Sequence, residues 1–153
     1  MKVKEIMHTN PFTIAPSVRC DEAVRMFLEH HVSGAPVVEE GKLVGFLSEK
    51  DVFRAMFPDY KDFYLTPESA LDYDRMENEA RSAAECPVAD VMSRRPLTAG
   101  PETPVLKVGA HMVATGMHHV PVVEEGKVIG LVSRGDIYRA ILQRYFVDKE
   151  ASK

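Results

Sequence analysis

Apolar and polar positions follow two rhythms along this chain, and the same succession of rhythms occurs twice. Cys20, Ala23, Val24, Phe27, Leu28 and His31 recur at the i, i+3, i+4, i+7, i+8 spacing of an amphipathic helix. Ser33-Gly34 is expected to end that helix, with the glycine at positive φ. Ala35–Glu39 then reads as a strand, Glu40-Gly41 as a turn, and Lys42–Leu47 as a second strand. Ser48 opens a further helix through Asp51, Val52, Ala55 and Met56, and its Ser-x-x-Asp spacing approximates a capping box. Upstream, Phe12-Thr13-Ile14 is held extended between Pro11 and Pro16. The later half repeats the order: Thr103-Pro104 starts a helix, Gly116 helps end it, strands follow at 120–124 and 127–132, and Ser133 caps the last helix. Each unit reads as β-α-β-β-α, an α/β (α+β) arrangement whose helices cover one face of a small sheet.

The repetition is literal. A shift of 85 aligns residues 3–57 with 88–142 without a gap, with 17 identities over 55 positions. Pro36-Val37-Val38-Glu39-Glu40-Gly41-Lys42 falls on Pro121-Val122-Val123-Glu124-Glu125-Gly126-Lys127, and Met7, Pro11, Thr13 and Pro16 fall on Met92, Pro96, Thr98 and Pro101. Two units this small would each have a thin core alone, so they are expected to pack together with pseudo-twofold symmetry. The expected organisation is a first repeat at 1–57, a linker at 58–87, a second repeat at 88–146 and a tail at 147–153.

The linker differs in composition. It carries eight acidic and three basic residues. Thr66-Pro67-Glu68 looks like a helix start, and Ser69 to about Glu85 like a polar helix with Ala70, Leu71, Met76 and Ala80 as its few apolar positions. The chain as a whole is 45% hydrophobic and 27% charged, with a net charge of −4. That balance fits a globular protein and offers no basic field for nucleic acid. No apolar run is long enough for a membrane span, and Glu5 interrupts any signal-peptide core, so a cytoplasmic protein is expected. Its two cysteines, Cys20 and Cys86, are far apart in sequence and are expected as reduced thiols.

Val32-Ser33-Gly34-Ala35-Pro36-Val37-Val38 and Gly45-Phe46-Leu47-Ser48-Glu49-Lys50-Asp51 carry a resemblance. So do their counterparts, Met117-His118-His119-Val120-Pro121-Val122-Val123 and Gly130-Leu131-Val132-Ser133-Arg134-Gly135-Asp136. Together with the Met/Pro/Thr/Pro leading segments, these motifs resemble the cystathionine-β-synthase (CBS) domain family, over about 110 of the 153 residues. The resemblance implies a tandem pair with two related clefts, frequently dimerised, that binds an adenosine compound: AMP, ADP, ATP or S-adenosylmethionine. It places Thr13, Ile14, Val32 and Ser33 with His118, His119, Ser133, Arg134 and Asp136 in a main cleft between the repeats. Thr98, Met117, Ser48 and Asp51 would form the twin cleft.

Those residue types suit the ligand. One ionised carboxylate accepts hydrogen bonds from both ribose hydroxyls, and a position one turn into a helix favours its charge. Serine and free N–H groups at the helix start suit ribose or phosphate. The same Ser-x-x-Asp also serves as a plain helix cap, and Ile14 and Val32 suit ordinary core packing. Arg134 stands where the first copy has Glu49, and His118-His119 where it has Ser33-Gly34, so the Asp136 cleft is expected to be the better nucleotide site. Two imidazoles there would strengthen phosphate binding below neutral pH. Arg54 and Arg139 are expected to pair with Asp51 and Asp136 or with a Glu on the same helix, and in second place to contact phosphate.

No nucleophile elbow, Walker loop or helical His-x-x-x-His is present, so catalysis is not expected. A metal site from Cys20, His30 and His31 fails on spacing, the first and last lying three turns apart. The expectation is a regulatory sensor that forms a homodimer and acts on a protein target the sequence does not identify. Ile137, Ala140, Ile141, Tyr145 and Phe146 would supply an apolar face, either to a dimer mate or to their own sheet. The rival reading is a ligand-independent scaffold for dimerisation or interaction.

Overall fold

The computed structural model describes residues 1–57 and 73–148. In chain order they form strand β1 (His8–Thr9), helix α1 (Cys20–His30), strands β2 (Gly34–Glu39) and β3 (Lys42–Ser48), and helices α2 (Glu49–Ala55), α3 (Tyr73–Glu85) and α4 (Val88–Val91). Helix α5 (Val105–Thr115), strands β4 (His119–Glu124) and β5 (Lys127–Ser133), helix α6 (Arg134–Leu142) and a π-helical turn at Gln143–Val147 follow. The Thr66-Pro67-Glu68 start expected for the linker helix lies outside the described residues.

The chain divides into two compact units whose composition does not follow the sequence repeats. One holds Met1–Phe12, Glu40–Leu43 and Pro96–Lys153; the other holds Thr13–Glu39 and Val44–Arg95. The first part of each leading segment, residues 1–12 and 88–95, is thus built into the unit formed by the other repeat.

In the first of these units β5 is the central strand, paired antiparallel with both β1 and β4. His8 pairs with Leu131 and Thr9 with Gly130, while Ala99 bridges Val122 on the far side of β4. Val3, Ala99, Val105, Val108, Met112, Val120, Val122, Val132 and Ile137 form its core. Lys2 and Lys4 both bind the Glu102 carboxylate, whose pKa falls to about 2 through those hydrogen bonds.

The second unit follows the same plan. β2 pairs with β3, Ser93 bridges Phe46, and Ile14 runs parallel to Val37. Val88, the counterpart of Val3, is fully buried here, as are Cys20, Ala23, Phe27, Val37 and Leu47. Helix α3 packs on α1 and α2, burying Ala83 and half-burying Met76 and Ala80. Its outer face carries Arg75–Glu79 and Arg81–Glu77 pairs at i, i+4 spacing.

One local expectation needs correction. Helix α1 does not end through a left-handed Gly34. His31 takes the left-handed turn, at φ 53°, and its N–H returns to the Phe27 and Leu28 carbonyls. Gly34 is instead the first residue of β2, where a Cβ would lie 2.8 Å from both the Leu47 carbonyl oxygen and the Phe46 ring. Helix α5 does start at Thr103-Pro104, with Pro104 in the cap position and the Thr103 hydroxyl accepting from the Gly100 N–H.

The exchanged leading segments explain one repeated pair, Gly45 and Gly130. A Cβ on Gly130 would meet Met7 Sδ at 2.6 Å and the His8 carbonyl oxygen at 3.1 Å. On Gly45 it would meet Met92 Sδ at 2.5 Å and the Ser93 carbonyl oxygen at 2.7 Å. A methionine side chain can swing away, whereas a carbonyl held in a strand bridge cannot. Gly45→Ala is therefore expected to cost about 1–3 kcal/mol and Gly130→Ala less, as urea titration of the two variants would show.

Candidate functional site

The most elaborated polar cluster among the described residues sits where β5 passes into α6. Ser133 is the N-cap of α6, extended at φ −91° and ψ 159°. Its hydroxyl accepts from the Asp136 N–H at 3.2 Å, while its own N–H donates to Asp136 Oδ2 at 3.0 Å. The Ser133 hydroxyl also donates to Oδ2. This reciprocal capping box, expected from sequence, fixes the carboxylate at the start of the helix.

Two further groups converge on it. His8 Nε2 lies 3.2 Å from Oδ2, and Arg139 donates to Oδ1 at 3.2 Å. The Asp136 side chain is only 13% exposed, whereas those of His8 and Arg139 are 72% and 81% exposed. Burial works to raise the Asp136 pKa, but hydrogen bonds from Ser133 and His8 overcome it and hold the group below the ordinary carboxylate value. The result is an ionised acceptor at neutral pH with two exposed hydrogen-bonding neighbours. Arg134, the first residue of α6, donates its N–H to the His118 carbonyl at 2.8 Å and lies over the Tyr138 ring at 6.0 Å.

His119 is half-buried, and desolvation, reinforced by His118, drives its pKa below the ordinary imidazole value. Positive charge at this ring therefore appears at lower pH than the sequence reading supposed. His118 is exposed.

The twin capping box is present at α2. Ser48 N–H and hydroxyl both donate to Asp51 Oδ2 at 2.9 Å, and the Asp51 N–H returns to Ser48 at 3.2 Å. Among the described residues its surroundings are poorer in cations. Ser93 occupies the position corresponding to His8, Glu49 that of Arg134, and Arg54 makes no ion pair with Asp51.

The residues expected in the main cleft fall in both units. Thr13, Ile14, Val32 and Ser33 belong to the unit containing Asp51; Ile14 is buried, Val32 half-buried, and Thr13 and Ser33 exposed. His118, His119, Ser133, Arg134 and Asp136 belong to the other unit, together with exposed Thr98 and half-buried Met117. Sequence reasoning missed His8. The faint signal was that the alignment sets it against Ser93, a change of chemistry within a well-matched leading segment.

Ser133, Asp136 and His8 are the residue types of a hydrolytic triad but not its order. Here the carboxylate lies between the hydroxyl and the imidazole, and the hydroxyl spends its proton on the carboxylate. A nucleophile needs the imidazole beside the hydroxyl. The cluster can bind through its carboxylate but is not arranged to activate Ser133. Among the described residues, no three His, Cys, Asp or Glu side chains are grouped to hold a metal ion, and no helix is long and apolar enough to cross a membrane.

Two αβ units with paired Ser-x-x-Asp caps define a tandem module. The CBS domain pattern matches residues 3–58 and 88–143, and the chain belongs to the CBS-domain family. It is 30% identical to the uncharacterised protein MJ1426 of Methanocaldococcus jannaschii over 93% of this chain and 92% of that one. It is similar in fold to CBSX2 of Arabidopsis thaliana, solved in complex with AMP: TM-score 0.70, 27% identity, covering 94% of this chain and 98% of that chain. It is also 29% identical to the A-adding tRNA nucleotidyltransferase of Aquifex aeolicus over 92% of this chain, but that match spans only 14% of the enzyme.

Proposed function

We propose that this protein is a regulatory module that binds an adenine nucleotide, AMP, ADP or ATP, and acts by binding rather than by catalysis. The Asp136 carboxylate would accept the hydrogen bonds of the ribose hydroxyls. The carrying observation is that this carboxylate is fixed, ionised and flanked by His8 and Arg139. The complex of the similar CBSX2 with AMP supports the ligand class. A ribose hydroxyl has most to gain from Oδ1, whose present partner is one exposed guanidinium free to turn towards a phosphate.

Thermal unfolding of the purified protein with AMP, ADP, ATP or S-adenosylmethionine tests this reading. At 100 times its Kd, a bound nucleotide adds about 2.7 kcal/mol of stability. A shift with nucleotides larger than with S-adenosylmethionine is expected, and no shift with any adenosine compound would overturn the proposal.

A second reading, a homodimerisation module, is favoured by a different observation. Ile137 is buried in its own unit, but Leu142, Tyr145, Phe146 and Val147 beyond it stay exposed, and Leu142, Phe146 and Val147 line a shallow apolar groove with Arg139, Ala140 and Gln143. Such a face suits a second copy of the chain.

A further inference from the structure

The two cysteines are separated by most of a repeat and a linker, yet the fold sets them face to face. Arg19 bridges Pro87 in antiparallel register, flanked by hydrogen bonds from Cys20 N–H to the Cys86 carbonyl at 2.9 Å and from Val88 N–H to the Val18 carbonyl at 2.7 Å. One step along that register, Cys20 stands directly opposite Cys86. Opposed residues of this kind have Cα atoms about 5.5 Å apart, inside the roughly 4.4–6.8 Å span that a disulfide bridges. Burial raises the Cys20 thiol pKa, and the nearby Cys86 raises it further.

The other unit supplies an internal control. Shifted by 85, Cys20 corresponds to Val105 and Cys86 to Met1. There Lys2 bridges Pro104, and the Val105 N–H donates to the Met1 carbonyl at 3.2 Å. The same backbone register is thus closed by an apolar pair, so the fold does not require sulfur at either place. Both cysteines of the chain nevertheless occupy the two opposed positions of one unit.

We propose that Cys20 and Cys86 are a redox-active pair that closes to a native-compatible disulfide, pinning the start of α1 to the end of α3. The oxidant is a low-molecular-weight disulfide. Cys86 is half-buried and Cys20 fully buried, so Cys86 is the point of attack. The Cys86 thiolate attacks one sulfur of the oxidant, forming a mixed disulfide and expelling one small thiolate. The Cys20 thiolate then attacks Cys86 Sγ, forming the internal bond and expelling the second. Two cysteine sulfurs are oxidised and two small-molecule sulfurs reduced, and the cysteine protons end on the released thiols.

The test uses the full chain, reduced and then exposed under native conditions to excess oxidised glutathione, followed by alkylation and mass spectrometry without reductant. The expected product is a monomer lighter by about 2 Da, with neither cysteine alkylated and Cys20 and Cys86 joined in one peptide. Its Tm should exceed that of the reduced protein by about 5 °C or more, because the bond closes a long loop, and reductant should reverse the gain. Cys86→Ser should show no oxidant-dependent change in Tm. Arrest at a glutathione adduct, a bond between two chains, or a bond that lowers Tm would each overturn the proposal.

Discussion

Asp136→Ala is expected to abolish the thermal shift produced by adenine nucleotides, lowering affinity by about 100-fold or more. Hydrogen bonds to a charged group are each worth about 1.5–3 kcal/mol, and the substitution removes both ribose bonds together with the charge. The same change also dismantles the α6 capping box, which costs about 1 kcal/mol in the absence of any ligand. The quantity to compare is therefore the ligand-induced shift, not the absolute Tm. Asp51→Ala is the matched control, because it dismantles the equivalent cap of α2 in a setting without the His8 and Arg139 partners. If Asp136→Ala keeps its shift while Asp51→Ala loses it, the preference for the Asp136 cluster is wrong. If both keep it, neither carboxylate holds the ribose. Asp136→Asn refines the result, since it retains an acceptor at the cap but no charge.

Much of this site was legible because its determinants are local. Ser48 and Asp51, or Ser133 and Asp136, lie within one helical turn, and side-chain hydrogen bonding over that distance follows from spacing alone. The hairpin turns were equally local: Glu40-Gly41 and Glu125-Gly126 all adopt positive φ, as a tight turn between strands demands. The exchange of leading segments was not legible. The alignment equates Val3 with Val88, but it cannot say that Val3 packs into the core that holds Met112 while Val88 packs into the unit that holds Phe27. That choice is made by non-local pairing of β1, a strand of two residues with no hydrophobic alternation of its own. His8 became a neighbour of Asp136, 128 positions away, by the same route. The Cys20–Cys86 opposition is invisible for the same reason: it depends on a bridge between Arg19 and Pro87, neither of which carries a strand signal.

Phe27→Ala is expected to destabilise the unit that contains it by about 3–5 kcal/mol, a large share of a typical domain stability of about 5–15 kcal/mol. Its ring is fully buried, and truncation leaves a cavity that close-packed surroundings collapse into only in part. Leu28→Ala, one residue further, should change stability by less than about 0.5 kcal/mol. The helical pattern counted both residues as apolar-face positions, yet Leu28 is 66% exposed because it sits at the margin of the stripe. The counterpart pair repeats the contrast in the other unit, with Met112 at 1% exposure and Val113 at 71%. Urea unfolding of the four alanine variants would therefore separate position from composition. Equal losses at Phe27 and Leu28 would mean that α1 is rotated from the orientation described, and with it the start of the helix where Cys20 meets Cys86. A large loss at Phe27 and Met112 alone would show that equivalent positions of the two repeats supply a deeply buried side chain from the first helix of each unit.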